Sequence, residues 1–279
     1  MKCSNRLFVA RKPMFVGSNA FLSSIKRRYG VKKAGFSGTL DPFACGVLII
    51  AFGQYTKLFR FLKKSPKTYR ATLWLGALSE TLDIEGIKEI EEVAPFTKER
   101  IRDTLLSFKG NFTYTPPRFS AKKVAGVRAY DLARNDKEVV LPIITSEILD
   151  IRLLHYRHPF VTFEADVSEG TYIRSLGEAI AEKLACRGAL SHLERLREGH
   201  FRFQQEKALN PLEYLDPPQN RYLGNPDDLT LGKKLRADSF ETNAPGRYSV
   251  VFDQYFAIIE IEKSGKVNYL LNKVKLCSY

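Results

Sequence analysis

Apolar positions along this chain recur with two different periods. Tyr69, Ala71, Leu73 and Leu75 alternate with polar residues, as do Val161, Phe163, Ala165 and Val167, and each set predicts a strand. The unbroken apolar run 47–52 is also strand-like. Helical spacing shows in Phe21, Leu22, Ile25 and Tyr29, with Ser18 as an N-cap and Gly30 as a stop. It recurs in 99–109, where Ile101, Leu105 and Phe108 share a face closed by Gly110. After Gly170 it returns with Ile173, Leu176, Ile180 and Leu184. The stretch 211–226 is Pro-rich, with Pro217-Pro218 at its centre, and short strands are predicted beyond it at 248–252, 255–261 and 267–271. Helices and strands therefore mix, which predicts an α+β core over 1–225 and a small β-rich unit over 226–279. Residues 114–142, basic and rich in turn formers, read as an insertion lying against a partner.

Composition adds a partner class. With 44% hydrophobic and 27% charged residues the chain is ordinary globular protein, and 279 residues suffice for one large domain and a small one. The net charge of +13 is not ordinary. It implies a polyanion, nucleic acid before an acidic membrane surface. No apolar run reaches the length of a membrane span, and the apolar stretch near the first residues is too brief for a secretion signal, so a cytoplasmic protein is expected. Cys3, Cys45, Cys186 and Cys277 are scattered, and the four histidines have no ligand spacing. Neither a metal site nor a disulfide framework is expected.

One carboxylate stands out. Ala34-Gly35-Phe36-Ser37-Gly38-Thr39-Leu40-Asp41-Pro42 crowds Asp41 between two glycines, which permit positive φ, and a proline that fixes it. An Asp that merely caps its own turn is the alternative. The glycine spacing in Gly35-Phe36-Ser37-Gly38 is one residue short of a serine-hydrolase elbow, and no D-x-D pattern for magnesium surrounds Asp41. Further blocks follow in order: Tyr69-Arg70-Ala71, then Thr81-Leu82-Asp83-Ile84-Glu85-Gly86, then Gly170-Thr171-Tyr172-Ile173-Arg174.

This ordered set resembles the TruB-type tRNA pseudouridine synthases, whose blocks read G-H-[ST]-G-[TA]-L-D-P, Y-R, T-D-x-x-G and G-T-Y-I-R. The resemblance runs from about Lys12 to about Arg197. It implies the pseudouridine synthase fold, a mixed and mostly antiparallel central sheet flanked by helices, with a shortened PUA-like tail. It implies an isomerase that converts uridine to pseudouridine at position 55 in the tRNA T-loop, without cofactor or metal, acting as a monomer. Asp41 matches the family nucleophile, which attacks ribose C1′ or uracil C6. Arg174 matches the cation that keeps it ionised, and Tyr69 the aromatic that stacks on the base. Leu196 corresponds to a residue lining the uracil pocket, while Asp83 and Lys57 match positions near the site. Phe36 replaces the family histidine, and is expected to pack into the space the flipped uridine leaves. Phosphate contacts are expected from Lys26, Arg27, Arg28, Lys63, Lys64, Lys67, Arg118, Lys122, Lys123 and Arg128. The rival reading is a non-catalytic tRNA-binding or folding chaperone that keeps the cleft without turnover.

Overall fold

The computed structural model describes residues 4–119 and 141–277, and between them only the backbone of two short strands. The chain runs β1 (Arg6–Lys12), α1 (Ser18–Tyr29), β2 (Ala34–Ser37), β3 (Cys45–Phe52), β4 (Lys67–Leu75), β5 (Ala77–Ser79) and β6 (Ile87–Ile90). There follow α2 (Lys98–Leu106), β7 (Gly110–Tyr114), β8 (Lys123–Val124), β9 (Val127–Arg128), β10 (Ile144–Arg157), β11 (Phe160–Val167), α3 (Ile173–Lys183) and β12 (Gly188–Glu198). The last part holds α4 (Pro226–Leu231), β13 (Gly246–Phe252), β14 (Tyr255–Ile261) and β15 (Val267–Lys275).

One eight-stranded sheet dominates, in the order β1-β3-β12-β4-β11-β10-β7 with β2 also on β3. Its pairings are antiparallel except β12 on β3, so the mixed, mostly antiparallel sheet read from the sequence is the one present. β4 and β12 lie side by side at its middle, and α2 and α3 pack on one face over a core that includes Leu73, Ile101, Phe163 and Leu176. α1 covers a second cluster of Phe8, Ile25, Leu48 and Phe52. The strand alternation at 69–75 and 161–167 is present in the burial pattern, polar positions facing the more open side.

Several elements differ from expectation. α1 has Gly17, not Ser18, at its N-cap, and makes no side-chain cap; the Ser18 hydroxyl is used elsewhere. Gly110 opens β7 rather than closing a helix, because α2 ends at Leu106. β1, β10 and β12 carried too many charges for a period to be read, yet they form an edge and much of the centre of the sheet. The insertion expected at 114–142, with Lys122, Lys123 and Arg128, falls largely outside the described residues. Cys45 and Cys186 are free, but Cys277 is disulfide-bonded, its partner outside the described residues, against the expectation of no such bond.

The tail forms a three-stranded sheet β13-β14-β15 with its own cluster of Leu229, Phe240, Val250, Ala257 and Ile259. A further cluster joins it to the rest: Leu7, Val9, Val47, Ile49 and Leu58 pack with Phe256, Ile258, Leu271 and Val274. No helix of the described residues is long and apolar enough to cross a membrane.

Candidate active site

A cleft of about 330 Å³ opens over the middle of the sheet, with Gly38, Asp41, Lys67, Tyr69, Arg174 and Arg195 in its wall. The chain enters from β2 through Gly38 at φ +63°, a left-handed turn that favours glycine. Gly35 has no positive φ but does serve close approach: it lies within β2, and an added Cβ would meet the Phe59 ring at 3.1 Å. The residues on either side of Asp41 are clamped. The Ser18 hydroxyl donates to the Leu40 carbonyl at 2.8 Å and accepts from its N–H at 3.0 Å. The Lys12 ammonium donates to the carbonyls of Pro13, Val16 and Pro42 at 2.9, 2.6 and 3.2 Å. Lys12 is fully buried, and that burial pulls its pKa down to about 8, with Cys45 and Asp41 acting the other way.

Asp41 does not cap its turn with its side chain. Its Oδ2 lies 3.0 Å from Nε of Arg174, in the first turn of α3. Only 4% of Arg174 is exposed, and both its terminal nitrogens are engaged. Nη1 donates to the Thr81 carbonyl at 2.8 Å and to Asp83 Oδ2 at 3.2 Å, and Nη2 donates to the Phe119 carbonyl at 2.8 Å. Asp83 is fixed in turn, its Oδ1 accepting from the Thr81 hydroxyl at 2.6 Å and the Glu85 N–H at 3.0 Å. One guanidinium thus ties two carboxylates and two loops together, and leaves its Nε edge for the carboxylate that meets the cleft.

The electrostatics are not a simple rescue of the anion by the arginine. Burial pushes the Asp41 carboxyl above the usual range, and Asp83 adds to that, while Arg174 and Lys12 hold it down. The balance stays above the ordinary value, so Asp41 is a more basic carboxylate than a solvated one.

Tyr69 is 7% exposed and lines the cleft from β4. Three other expected residues lie elsewhere. Leu196 lines a separate cavity with Thr68, Asp166 and Arg197, where β12 shifts register against β4 between Arg195 and Arg197; Leu193 is the β12 leucine in the cleft wall. Lys57 is exposed on a short 3-10 turn (Gly53–Phe61) and lines no described cavity. Phe36 is half-buried on β2 against the α1 cluster, outside the cleft wall.

Arg195 and Glu198 carry no functional expectation from the sequence, and Lys67 is expected among the surface phosphate contacts. All three are buried behind Gly38. Arg195 donates to the carbonyls of Val47 at 2.8 Å and Gly38 at 2.9 Å, and pairs with Glu198 at 3.4 Å. The signal was present in part, since Lys67 stands two residues before Tyr69 and so on the same face of β4. Among the described residues no group of three or more His, Cys, Asp or Glu is placed to hold a metal ion.

An arginine-paired aspartate, half-buried in the cleft beside a tyrosine on a mixed sheet, defines a carboxylate-centred enzyme cleft. The same fold occurs in solved structures of a Cbf5–Nop10–Gar1 complex (TM-score 0.70, 19% identity, 98% of this chain and 85% of that one) and of an archaeal box H/ACA Nop10–Cbf5 complex (TM-score 0.66, 19% identity, 98% and 86%). The profile of the TruB family pseudouridylate synthase N-terminal domain matches residues 26–173. Curated relatives called tRNA pseudouridine synthase B include one from Nitratiruptor sp. (58% identical over 97% of this chain and 98% of that protein) and one from Campylobacter curvus (48%, over 98% and 100%). The chain belongs to the TruB family of pseudouridine synthases, which are isomerases.

Proposed function

We propose that this protein isomerises uridine to pseudouridine in tRNA, at position 55 of the T-loop, with Asp41 as the nucleophile acting on a flipped-out base. The tRNA substrate is supported by relatives called tRNA pseudouridine synthase B that match nearly the whole chain. The nucleophile rests on one observation: the Asp41 carboxylate meets the cleft with Arg174 Nε at 3.0 Å and Tyr69 in the same wall. A carboxylate more basic than usual is the better nucleophile in its ionised form, and its addition to ribose C1′ or uracil C6 needs no redox partner. Tyr69 stacks on the extruded base, and Arg174 holds Asp41 in line while Asp83 holds Arg174. Phe36, outside the cleft wall, packs into the space vacated in the loop. The protein acts as a monomer in the cytoplasm, with residues 1–225 as the catalytic unit and 226–279 as a PUA-like RNA-contacting unit.

The test is Asp41→Asn. It is expected to abolish tritium release from tRNA carrying 5-tritiated uridine, while tRNA affinity stays within about tenfold because phosphates supply most of it. Turnover by that variant, shown free of deamidation, would remove Asp41 as nucleophile. Loss of binding together with turnover would point to a structural role. For Phe36, single-turnover rates on folded tRNA and on a loosened stem-loop separate the two possibilities. Phe36→Ala is expected to slow the folded substrate more, since the lost contribution is the cost of flipping; equal slowing on both would exclude the wedge.

A further inference from the structure

Lys67 is 7% exposed, yet its ammonium has a single ionic partner among the described residues, Glu198 Oε1 at 3.5 Å, and no hydrogen bond there. An ammonium carries three donors, and a buried cation with spare donors is costly unless a ligand takes them. The group faces the cleft: Lys67 is in its wall, and a Cβ added to Gly38 would come within 3.2 Å of Nζ. Glu198 is shared, pairing also with Arg195, so two cations face this one carboxylate. Tyr69 stands two residues along the same face of β4.

We infer that Lys67 is a catalytic residue: it donates a hydrogen bond to a ring oxygen of the bound uracil and stabilises the negative charge that develops there. The inference rests on the proposed reading that this cleft holds the target base. If Asp41 displaces the base, the C1′–N1 bond breaks and its electron pair leaves with uracil, spreading from N1 onto O2 and O4. If Asp41 adds at C6, the C5=C6 pair moves onto C5 and O4. In either order a ring oxygen becomes anionic. In the first order C5 bonds to C1′ as the Asp41–C1′ ester bond breaks. In the second the C1′–N1 bond breaks as the pair on C5 bonds to C1′, and Asp41 leaves C6 as the C5=C6 bond is restored. In both, C5 loses its proton to solvent, N1 gains one and Asp41 is released as a carboxylate. Lys67 keeps its proton throughout. The charge it meets exists only during reaction, so it accelerates the chemistry rather than tightening binding. A lysine clamped on phosphate would do the reverse.

Single-turnover rates with saturating enzyme decide between them. They are measured as conversion of the target nucleoside in tRNA bearing uridine, 2-thiouridine or 4-thiouridine there. Lys67→Met is expected to slow the uridine substrate by about 100- to 1,000-fold, as loss of one oxyanion donor does, with tRNA Kd within about threefold. Lys67→Arg is expected to recover at least about tenfold of that loss. Sulfur at the contacted oxygen should slow the wild type and add no further slowing to Lys67→Met, the signature of a shared contact. A weakened Kd with an intact rate, or fully additive effects of both sulfur substitutions, would overturn the inference. Should Lys67→Met not fold, the wild type and Lys67→Arg still decide, since a wild type indifferent to both sulfurs sinks the proposal. Turnover by Asp41→Asn would instead count against the nucleophile, leaving the sulfur cycle readable on its own.

Discussion

At the residue scale the decisive group is Arg174, because its donors serve two carboxylates and two carbonyls at once. A lysine offers one nitrogen and cannot span them. Arg174→Lys is therefore expected to lose at least about 100-fold in kcat. It should also lose about 3 kcal/mol of stability, the scale of breaking a buried pair, checked by single-turnover kinetics and denaturant melts. The direction of the Asp41 shift fixes two pH effects. If Asp41 is the nucleophile, activity needs its ionised form, and kcat/KM should fall on acidification at a pH above the ordinary carboxylate range, since the folded pKa is raised. Arg174 holds that pKa down, and Arg174→Met should carry the acid limb to still higher pH. For stability the sign is opposite: a carboxyl whose folded pKa exceeds its unfolded one binds more protons when folded, so its contribution is lost as pH rises. Asp41→Asn should then raise Tm at pH 7 while abolishing turnover, and a lower Tm there would contradict the burial cost. Lys12, with its pKa lowered to about 8, predicts an alkaline limb, because the neutral amine has one donor fewer for three carbonyls that include Pro42.

At the scale of elements, the site depends on β12 lying between β3 and β4, and here the sequence was least legible. Asp41, Tyr69 and Arg174 were readable because each sits in a block with glycine or aromatic neighbours, and because β4 and α3 show clean periods. β12 reads Gly-Ala-Leu-Ser-His-Leu-Glu-Arg-Leu-Arg-Glu, and its Arg195 and Glu198 look like a solvated face. In the fold they point at each other under Gly38, which only the long-range pairing of β12 with β3 and β4 brings about. The same pairing puts Leu193 in the cleft wall and Leu196 in a separate cavity, at the register shift between Arg195 and Arg197. Gly46 shows how tight the junction is: it has φ +107°, and an added Cβ would lie 2.3 Å from the Arg195 carbonyl oxygen. Gly46→Ala is expected to cost about 3 kcal/mol through overpacking and backbone strain. Because β12 also carries Arg195, activity should fall more steeply than the folded fraction. Activity that merely tracks the folded fraction would show that the junction does not position the cleft.

At the scale of the whole molecule, the excess of positive charge and the placement of the tail make separate demands. A net charge of +13 on a chain this size implies several phosphate contacts. If about six are made, tRNA affinity should fall on the order of a thousandfold between 50 and 200 mM salt. A flat profile would mean the charge is spread over surfaces that never meet RNA. The tail is harder to test by removal than its sequence suggests. Its Pro-rich boundary predicts a separable unit, but Phe256, Ile258, Leu271 and Val274 complete a cluster with members on β1, β3, the turn after it and the stretch 201–215. Deleting 226–279 would uncover that cluster. At about 1.5–3 kcal/mol for each buried side chain, the loss is comparable with the whole stability of a typical domain. The truncated chain is accordingly expected to lose its cooperative melt, and its inactivity would say nothing about RNA contact. Charge reversal on the exposed side of the tail is the cleaner probe. Lys263 and Lys266 flank Gly265 in the turn between β14 and β15 and are exposed. Lys263→Glu with Lys266→Glu should leave Tm within about 1 °C, since exposed substitutions change stability little. If the tail grips tRNA at this turn, the same pair should weaken binding at least about tenfold and flatten the salt slope by about two contacts, with single-turnover chemistry at saturation unchanged. Unchanged binding would confine the tRNA footprint to surfaces outside that turn and leave the tail's role as closure of the core.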